Sequence, residues 1–204
     1  MTPAHMKPEP LVLEGAVVRL EPLSLAHVDA LARVGLAPEL WRLQPKVIGS
    51  VDEMRAYVQA ALDDEERGVS LPFAIVERDS GQVIGSTRYM DIAPAHRRLE
   101  IGATWLYPGR QRSGANTDAK RLLLTHAFEV LGAQRIVFKT EALNTQSRAA
   151  LARIGAVEEG IFRRHLLADS GRARDMVYFA ILDDEWPAVK LLLAQLQAPR
   201  ANED

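Results

Sequence analysis

The chain has 204 residues, enough for one domain with its own core, and its 48% apolar and 25% charged content matches a folded globular protein. A net charge of −2 excludes a global field that would draw it to nucleic acid. The absence of cysteine excludes disulfide frameworks, cysteine nucleophiles and thiolate metal sites, and no apolar run approaches the ~20 residues that span a bilayer. A cytoplasmic location is the expectation.

In chain order, residues 1–10 carry three prolines and no signal-like apolar stretch, and read as a flexible leader. Residues 12–20, rich in Val and Leu, predict a first strand. Ser24 caps a helix to about Val34, ended by Gly35. Ser50 and Glu53 form a capping-box pattern before Met54, Tyr57, Val58 and Leu62, a second helix ending near Gly68. Residues 71–78 and 83–90 read as strands around the turn Asp79-Ser80-Gly81-Gln82, and residues 99–107 as a further strand stopped by Pro108. From Thr117 the period changes: Ala119, Leu122, Leu123, Ala127, Val130 and Leu131 recur at helical spacing, and Gly132 closes the helix. Residues 135–141 predict a short strand, and Asn144 opens a helix ending at Gly155. Residues 157–167 and 174–182 predict a hairpin around Asp169-Ser170-Gly171. Residues 186–196 predict a last helix, with Pro187 tolerated in its first turn. Residues 198–204 form a polar tail, which leaves 11–197 as one domain. A mixed α+β sheet covered by helices buries these faces.

The stretch from Trp105 to Thr117 carries the chemistry. A strand ends, a short basic turn follows and a helix begins. The first amides of a helix lack intrahelical partners, and the helix dipole adds positive potential there. Such a terminus binds phosphate. Gly114 has no Cβ to hold an anion away, and Arg110 and Arg112 add charge. The spacing of Gly109 and Gly114 is that of a P-loop, but Ala115 and Asn116 stand where Lys and Ser or Thr are needed. An ordinary turn with exposed arginines remains the alternative. Asn144, likewise, is a helix N-cap that can also face a cleft.

Together these stretches resemble the GCN5-related (GNAT) N-acetyltransferases. Gln111-Arg112-Ser113-Gly114-Ala115-Asn116 is similar to the family's Q/R-x-x-G-x-G/A signature, with Asn116 at the last small position. Glu100-Ile101-Gly102 with Trp105, Ala127-Phe128, Asn144-x-x-Ser147, Gly155-Ala156 and Glu159-Gly160 point to the RimJ/RimL-like branch. The resemblance runs from about Leu11 to Leu193. It implies a mostly antiparallel seven-stranded sheet flanked by helices, with a V-shaped splay between the fourth and fifth strands. It implies acetyl-CoA as cosubstrate, gripped by Gln111, Arg112, Ser113, Gly114, Ala115, Asn116 and Thr117, with main chain of Leu106 and Tyr107 along the pantetheine arm and Asn144 and Ser147 lining the slot. The implied reaction is direct attack of a primary amine, from a protein N-terminus or a small molecule, on the thioester.

An amine must shed a proton before it attacks. An α-amine, with a reference pKa of about 7.7–8.0, does so about 3.4 kcal/mol more easily than lysine at about 10.4. Glu100 is the first candidate base, since strand alternation sets it with Gly102 and Thr104 on one face; the alternative is a Glu paired with Arg97 or Arg98. Where many relatives place a thiolate-protonating Tyr, this chain has Leu151, and Ser147 is the substitute. The RimL-type Glu position holds Leu166, with His165 beside it. His126, Trp41 and Trp186 read as packing or cleft-rim residues. Arg163, Arg164, Arg172 and Arg174 read as a solvated face. The histidines lack metal-ligand spacing. No nucleic acid or membrane is expected as a partner; a second copy of the chain is a candidate. The contrasting class is a non-catalytic acyl-CoA-binding regulatory module, which the missing Tyr keeps open.

Overall fold

The computed structural model describes residues 6–198. Half of the expected leader, residues 1–5, and most of the tail, residues 199–204, lie outside them. Met6 is buried in the core.

Residues 12–20 form two strands rather than one, β1 (Leu13–Glu14) and β2 (Val18–Pro22), paired antiparallel. The chain reverses at Gly15, where the Asp118 carboxylate occupies the space that a side chain would need. The sheet thus has eight strands among the described residues, one more than expected. After Ser24 comes a single 3-10 turn, then α1 (Val28–Gly35). A four-residue helix, α2 (Pro38–Trp41), follows; it is too short to show a period in sequence. In α3 (Val51–Glu66) the Ser50 hydroxyl accepts the Glu53 amide at 3.2 Å, and the Glu53 carboxylate reaches back to the Gly49 amide at 2.7 Å.

Then come β3 (Leu71–Glu77), β4 (Val83–Ala93) and β5 (Arg98–Leu106). Next is α4 (Ala115–Thr125), which widens into a π turn over His126–Val130 before Gly132 ends it with positive φ. The chain closes with β6 (Arg135–Glu141), α5 (Thr145–Arg153), β7 (Val157–Leu167), β8 (Ala173–Leu182) and α6 (Trp186–Gln197). The strand order is β1-β2-β3-β4-β5-β6-β8-β7, antiparallel throughout except between β5 and β6. One face packs on α4, α5 and α6 around Leu123, Phe138, Leu151 and Leu193. The other packs on α1, α2 and α3 around Leu31, Trp41, Met54 and Trp105. Each fully buried large apolar side chain contributes about 1.5–3 kcal/mol.

Two features of β5 set the geometry of the cleft. First, it pairs with β6 at only three positions, Arg98 with Arg135, Leu99 with Ile136 and Glu100 with Val137. Beyond them the two strands part. Second, β5 carries a bulge. Arg88 pairs with Gly102 and Ser86 with Trp105, so Ala103 and Thr104 together oppose Thr87. Ala103 takes a φ of 46° there. A bulge re-aims the side chains after it. Thr104 therefore faces α4, not the Glu100 face as simple alternation predicts, and Trp105 turns to the α1–α3 face.

Candidate active site

The turn between β5 and α4 leaves its main-chain donors free. Gly114 is the N-cap of α4 with φ 85°, a conformation open to glycine and costly for other residues, and no atom lies within 4 Å of where its Cβ would be. Among the described residues, the amides of Arg112, Ser113, Gly114, Asn116 and Thr117 have no protein acceptor. The Ala115 amide has only a long contact of 3.5 Å to the Ser113 hydroxyl. Residues 111–114 are exposed. The Arg112 guanidinium has no acidic partner among the described residues, whereas Arg110 is bound to Glu77 at 2.7 Å, so its charge is already countered.

The helix behind this turn is pinned. The Asp118 carboxylate accepts the Val17 and Val18 amides at 2.7 and 3.0 Å, the Gln197 amide at 2.7 Å and Arg121 at 3.0 Å. Burial pushes this carboxyl up, but the amides of Val18 and Val17, with Gln197 and Arg121, outweigh it and hold it below the ordinary value. The Thr117 hydroxyl accepts Arg153 of α5 at 3.2 Å, tying the two helices.

The gap between β5 and β6 opens next to these amides. The Tyr107 N–H is committed to Ile84 at 2.7 Å, and its C=O accepts Arg110 at 2.8 Å with a second lone pair remaining. Successive residues of a strand point their amides to opposite sides, so Leu106 directs its main chain into the gap. The Leu106 carbonyl accepts Gln111 at 3.4 Å, and Gln111 in turn meets Gln146 of α5 at 3.3 Å, bridging the mouth of the gap. On the far side the Asn144 side chain caps α5 by accepting the Ser147 amide at 3.0 Å. Ser147 is half-buried in that first turn, and Leu151 is buried one turn on.

Glu100 is 7% exposed, at the last paired rung before the strands part. Its partner is neither Arg97 nor Arg98 but Lys139 of β6, at 2.8 Å. Arg97 is spent on the Gly132 carbonyl and Arg98 on Asp91. Burial raises the Glu100 carboxyl, against the opposing pull of Lys139. Lys139 also lies 5.3 Å from the Tyr178 ring, whose hydroxyl meets His165 at 2.9 Å. On the same face of the sheet, Arg88 stacks over Tyr57 at 4.6 Å. The Arg88 Nε, Tyr57 hydroxyl and Trp105 Nε1 there are buried without a protein partner among the described residues.

From α4, Lys120 enters from the opposite face. Its ammonium donates to the Thr104 hydroxyl at 2.9 Å. The helical spacing marked residues 119 and 122–123 as core and gave no signal for a charged group between them.

Other expectations resolve as packing. His126 is buried against the Tyr89 hydroxyl at 3.2 Å, and Trp41 and Trp186 are core. Arg172 and Arg174, expected on a solvated face, instead grip the buried Glu141 carboxylate, and Arg174 also binds the Leu43 carbonyl at 2.9 Å. No cluster of metal-ligating side chains occurs among the described residues. No helix among them is long and apolar enough to cross a membrane.

The acetyltransferase (GNAT) domain model matches residues 18–157, which contain the free amides, the gap and Glu100. The chain belongs to the GNAT acetyltransferase family. It is thereby placed in a class of acyltransferases. It is similar to a GCN5-related N-acetyltransferase from Brucella melitensis, with 35% identity and a TM-score of 0.87 over 95% of this chain and 88% of that one. Mycobacterium smegmatis RimJ, solved in complex with CoA-disulfide, is 28% identical with a TM-score of 0.76 over 92% of this chain and 93% of that one. The Bacillus subtilis protein YdaF, provisionally named a ribosomal N-acetyltransferase, is 34% identical over 54% of this chain. The matched stretch spans 59% of YdaF's own length.

Proposed function

We propose that this protein moves an acetyl group from acetyl-CoA to a primary amine, and that a protein N-terminal α-amine is the acceptor it suits best. The observation that carries the reading is the row of amides at Arg112, Ser113, Gly114, Asn116 and Thr117, without protein acceptors among the described residues, at the head of a pinned helix and beside a gap between parallel strands. Such a row neutralises a diphosphate. The space beside Gly114 lets it approach. RimJ of M. smegmatis, whose structure holds a CoA derivative, and YdaF, whose provisional name refers to the ribosome, support the cosubstrate and the acceptor class.

When bound, acetyl-CoA supplies an activated carbonyl and a thiolate leaving group. The protein's residues do the rest. Gln111 and Ala115 border the diphosphate turn, and Asn144 holds the first turn of α5 against the arm. Leu106 offers a main-chain amide to the oxygen that gains charge, where a fixed donor is worth most. Glu100 takes the proton of the attacking amine. Burial raises its affinity for protons, the direction that favours a general base, and Lys139 keeps the carboxylate aimed. Ser147 orients the sulfur through a hydrogen bond. The acceptor approaches the α1–α3 face, the side of the sheet on which Glu100 meets Lys139.

The test is release of free CoA thiol during incubation with acetyl-CoA and a panel of peptides and small amines. Turnover is expected, with peptide α-amines above lysine-like amines. Tight CoA binding with no turnover across the panel would leave an acyl-CoA-binding module instead, the reading that Leu151 in place of a Tyr permits.

A further inference from the structure

We propose that Lys120 donates the proton taken up by the departing CoA thiolate, an inference that rests on the acetyl-transfer reading above. Lys120 is 5% exposed on α4. Its Nζ bonds Thr104 of β5 at 2.9 Å and lies 5.4 Å from the centre of the Phe138 ring of β6. Both residues stand beyond the last paired rung, Glu100 with Val137. The ammonium therefore spans the gap between the two strands on its α4–α5 side. An arm that leaves the turn before α4 and follows the β5 edge back from Leu106 covers about 10 Å over the three residue steps to Ala103. That length brings its end to the bulge at Ala103 and Thr104, under Lys120.

Packing does not explain the charge. Thr104 is the one hydrogen-bond partner of Nζ among the described residues, and no carboxylate there lies within 4 Å of it. An ammonium has three N–H donors, and burying one without a counter-ion costs several kcal/mol. Burial lowers its pKa to about 7, against the opposing pull of Glu100. A cysteine thiol has a reference pKa of about 8.5, and a simple alkyl thiol such as that of CoA is a weaker acid still, so a proton passes downhill from this ammonium to a thiolate. The Ser147 hydroxyl can orient the sulfur, but it holds its own proton too tightly to give it up near neutral pH. Leu151 brings no acid from α5.

The step balances. A bond forms between the acceptor nitrogen and the acyl carbon, and the carbon–sulfur bond breaks with its electron pair left on sulfur. Sulfur takes a proton from Lys120 Nζ. The nitrogen gives its surplus proton to Glu100, and exchange with solvent then returns Lys120 to the ammonium form.

Two measurements test this on the full chain. The five lysines give a sparse spectrum when labelled with carbon-13 at Cε, and Lys120→Arg assigns the signal sought. The Lys120 midpoint should move by a pH unit or more when CoA is added, and much less with desulfo-CoA, which lacks the sulfur. An equal response to both ligands overturns the proposal. In single-turnover assays, Lys120→Met should slow transfer from acetyl-CoA by about a hundredfold. It should slow acetyl-selenocoenzyme A by less than about tenfold, because a selenolate is a weak base that leaves without a proton. Equal slowing with both donors assigns Lys120 to packing alone and overturns the proposal. A wild-type protein that neither binds CoA nor transfers overturns the reading beneath. A wild-type that transfers, with Lys120→Met just as fast, overturns this inference only.

Discussion

Two charged regions flank the same gap and treat their polar groups in opposite ways. At the turn between β5 and α4, five amides and the Arg112 guanidinium have no protein partner among the described residues. At the far end of β6, Glu141 is 2% exposed and saturated: Arg172 and Arg174 hold both of its oxygens, and Arg174 reaches across to the Leu43 carbonyl. The Arg172 hydrogen bond, opposed by burial and helped by Arg174, keeps the Glu141 carboxyl below its ordinary value of 4.5. The second region fastens the β7–β8 hairpin to the loop before α3. The main-chain amides of the first fasten nothing among the described residues. Buried polar groups satisfied within the chain hold structure, whereas exposed groups left unsatisfied at a helix start are available to a ligand.

The contrast can be broken from either side. The largest stability effect is expected from the double change Arg172→Met with Arg174→Met, which strands a buried carboxylate: a loss of about 3–5 kcal/mol in denaturant unfolding, with CoA affinity little changed in the protein that remains folded. Because the Glu141 pKa is depressed on folding, this contribution is full above pH 4.5 and fades as acid protonates the carboxylate, so the wild-type advantage should shrink in acid. Glu100→Gln should lower kcat by about 10²–10⁴-fold with CoA affinity within about threefold, and an unchanged rate would remove Glu100 from the mechanism. Gly114→Trp should weaken CoA binding by about a hundredfold or more by calorimetry. Its stability cost should be only about 1–3 kcal/mol, from the strained φ, since the space beside Gly114 is open. Arg112→Ala is the smallest change: a loss of about threefold in CoA affinity at low salt, which disappears as salt screens the exposed charge. If Gly114→Trp binds CoA normally, the division between the two regions is wrong.

Local signals carried most of this fold. Val and Leu runs bounded by turn residues gave the strands, and the bounds of β6 agree at both ends. The Ser50 and Asn144 caps form as their patterns imply. What escaped depends on contacts distant in sequence. The split of β1 from β2 rests on Asp118, about 100 residues away, occupying the place of a Gly15 side chain. The bulge puts positive φ on Ala103, a residue with no turn signature, and so reverses the face of Thr104. Lys139 rather than a neighbouring arginine meets Glu100 because parallel pairing of β5 with β6 brings it alongside. Lys120 sat inside an apolar helical stripe, and only the bulged Thr104 reveals its aim. The turn at residues 111–117 was legible because its chemistry lies in consecutive main-chain groups.

The most direct test is a titration of the nitrogen-15-labelled protein with acetyl-CoA, followed through its backbone amide signals. The largest shifts should fall on Arg112, Ser113, Gly114, Asn116 and Thr117, with Leu106 next and the Glu141–Arg174 region unmoved. Acetyl-CoA that leaves those five amides unshifted, or shifts chiefly residues elsewhere, would contradict the account.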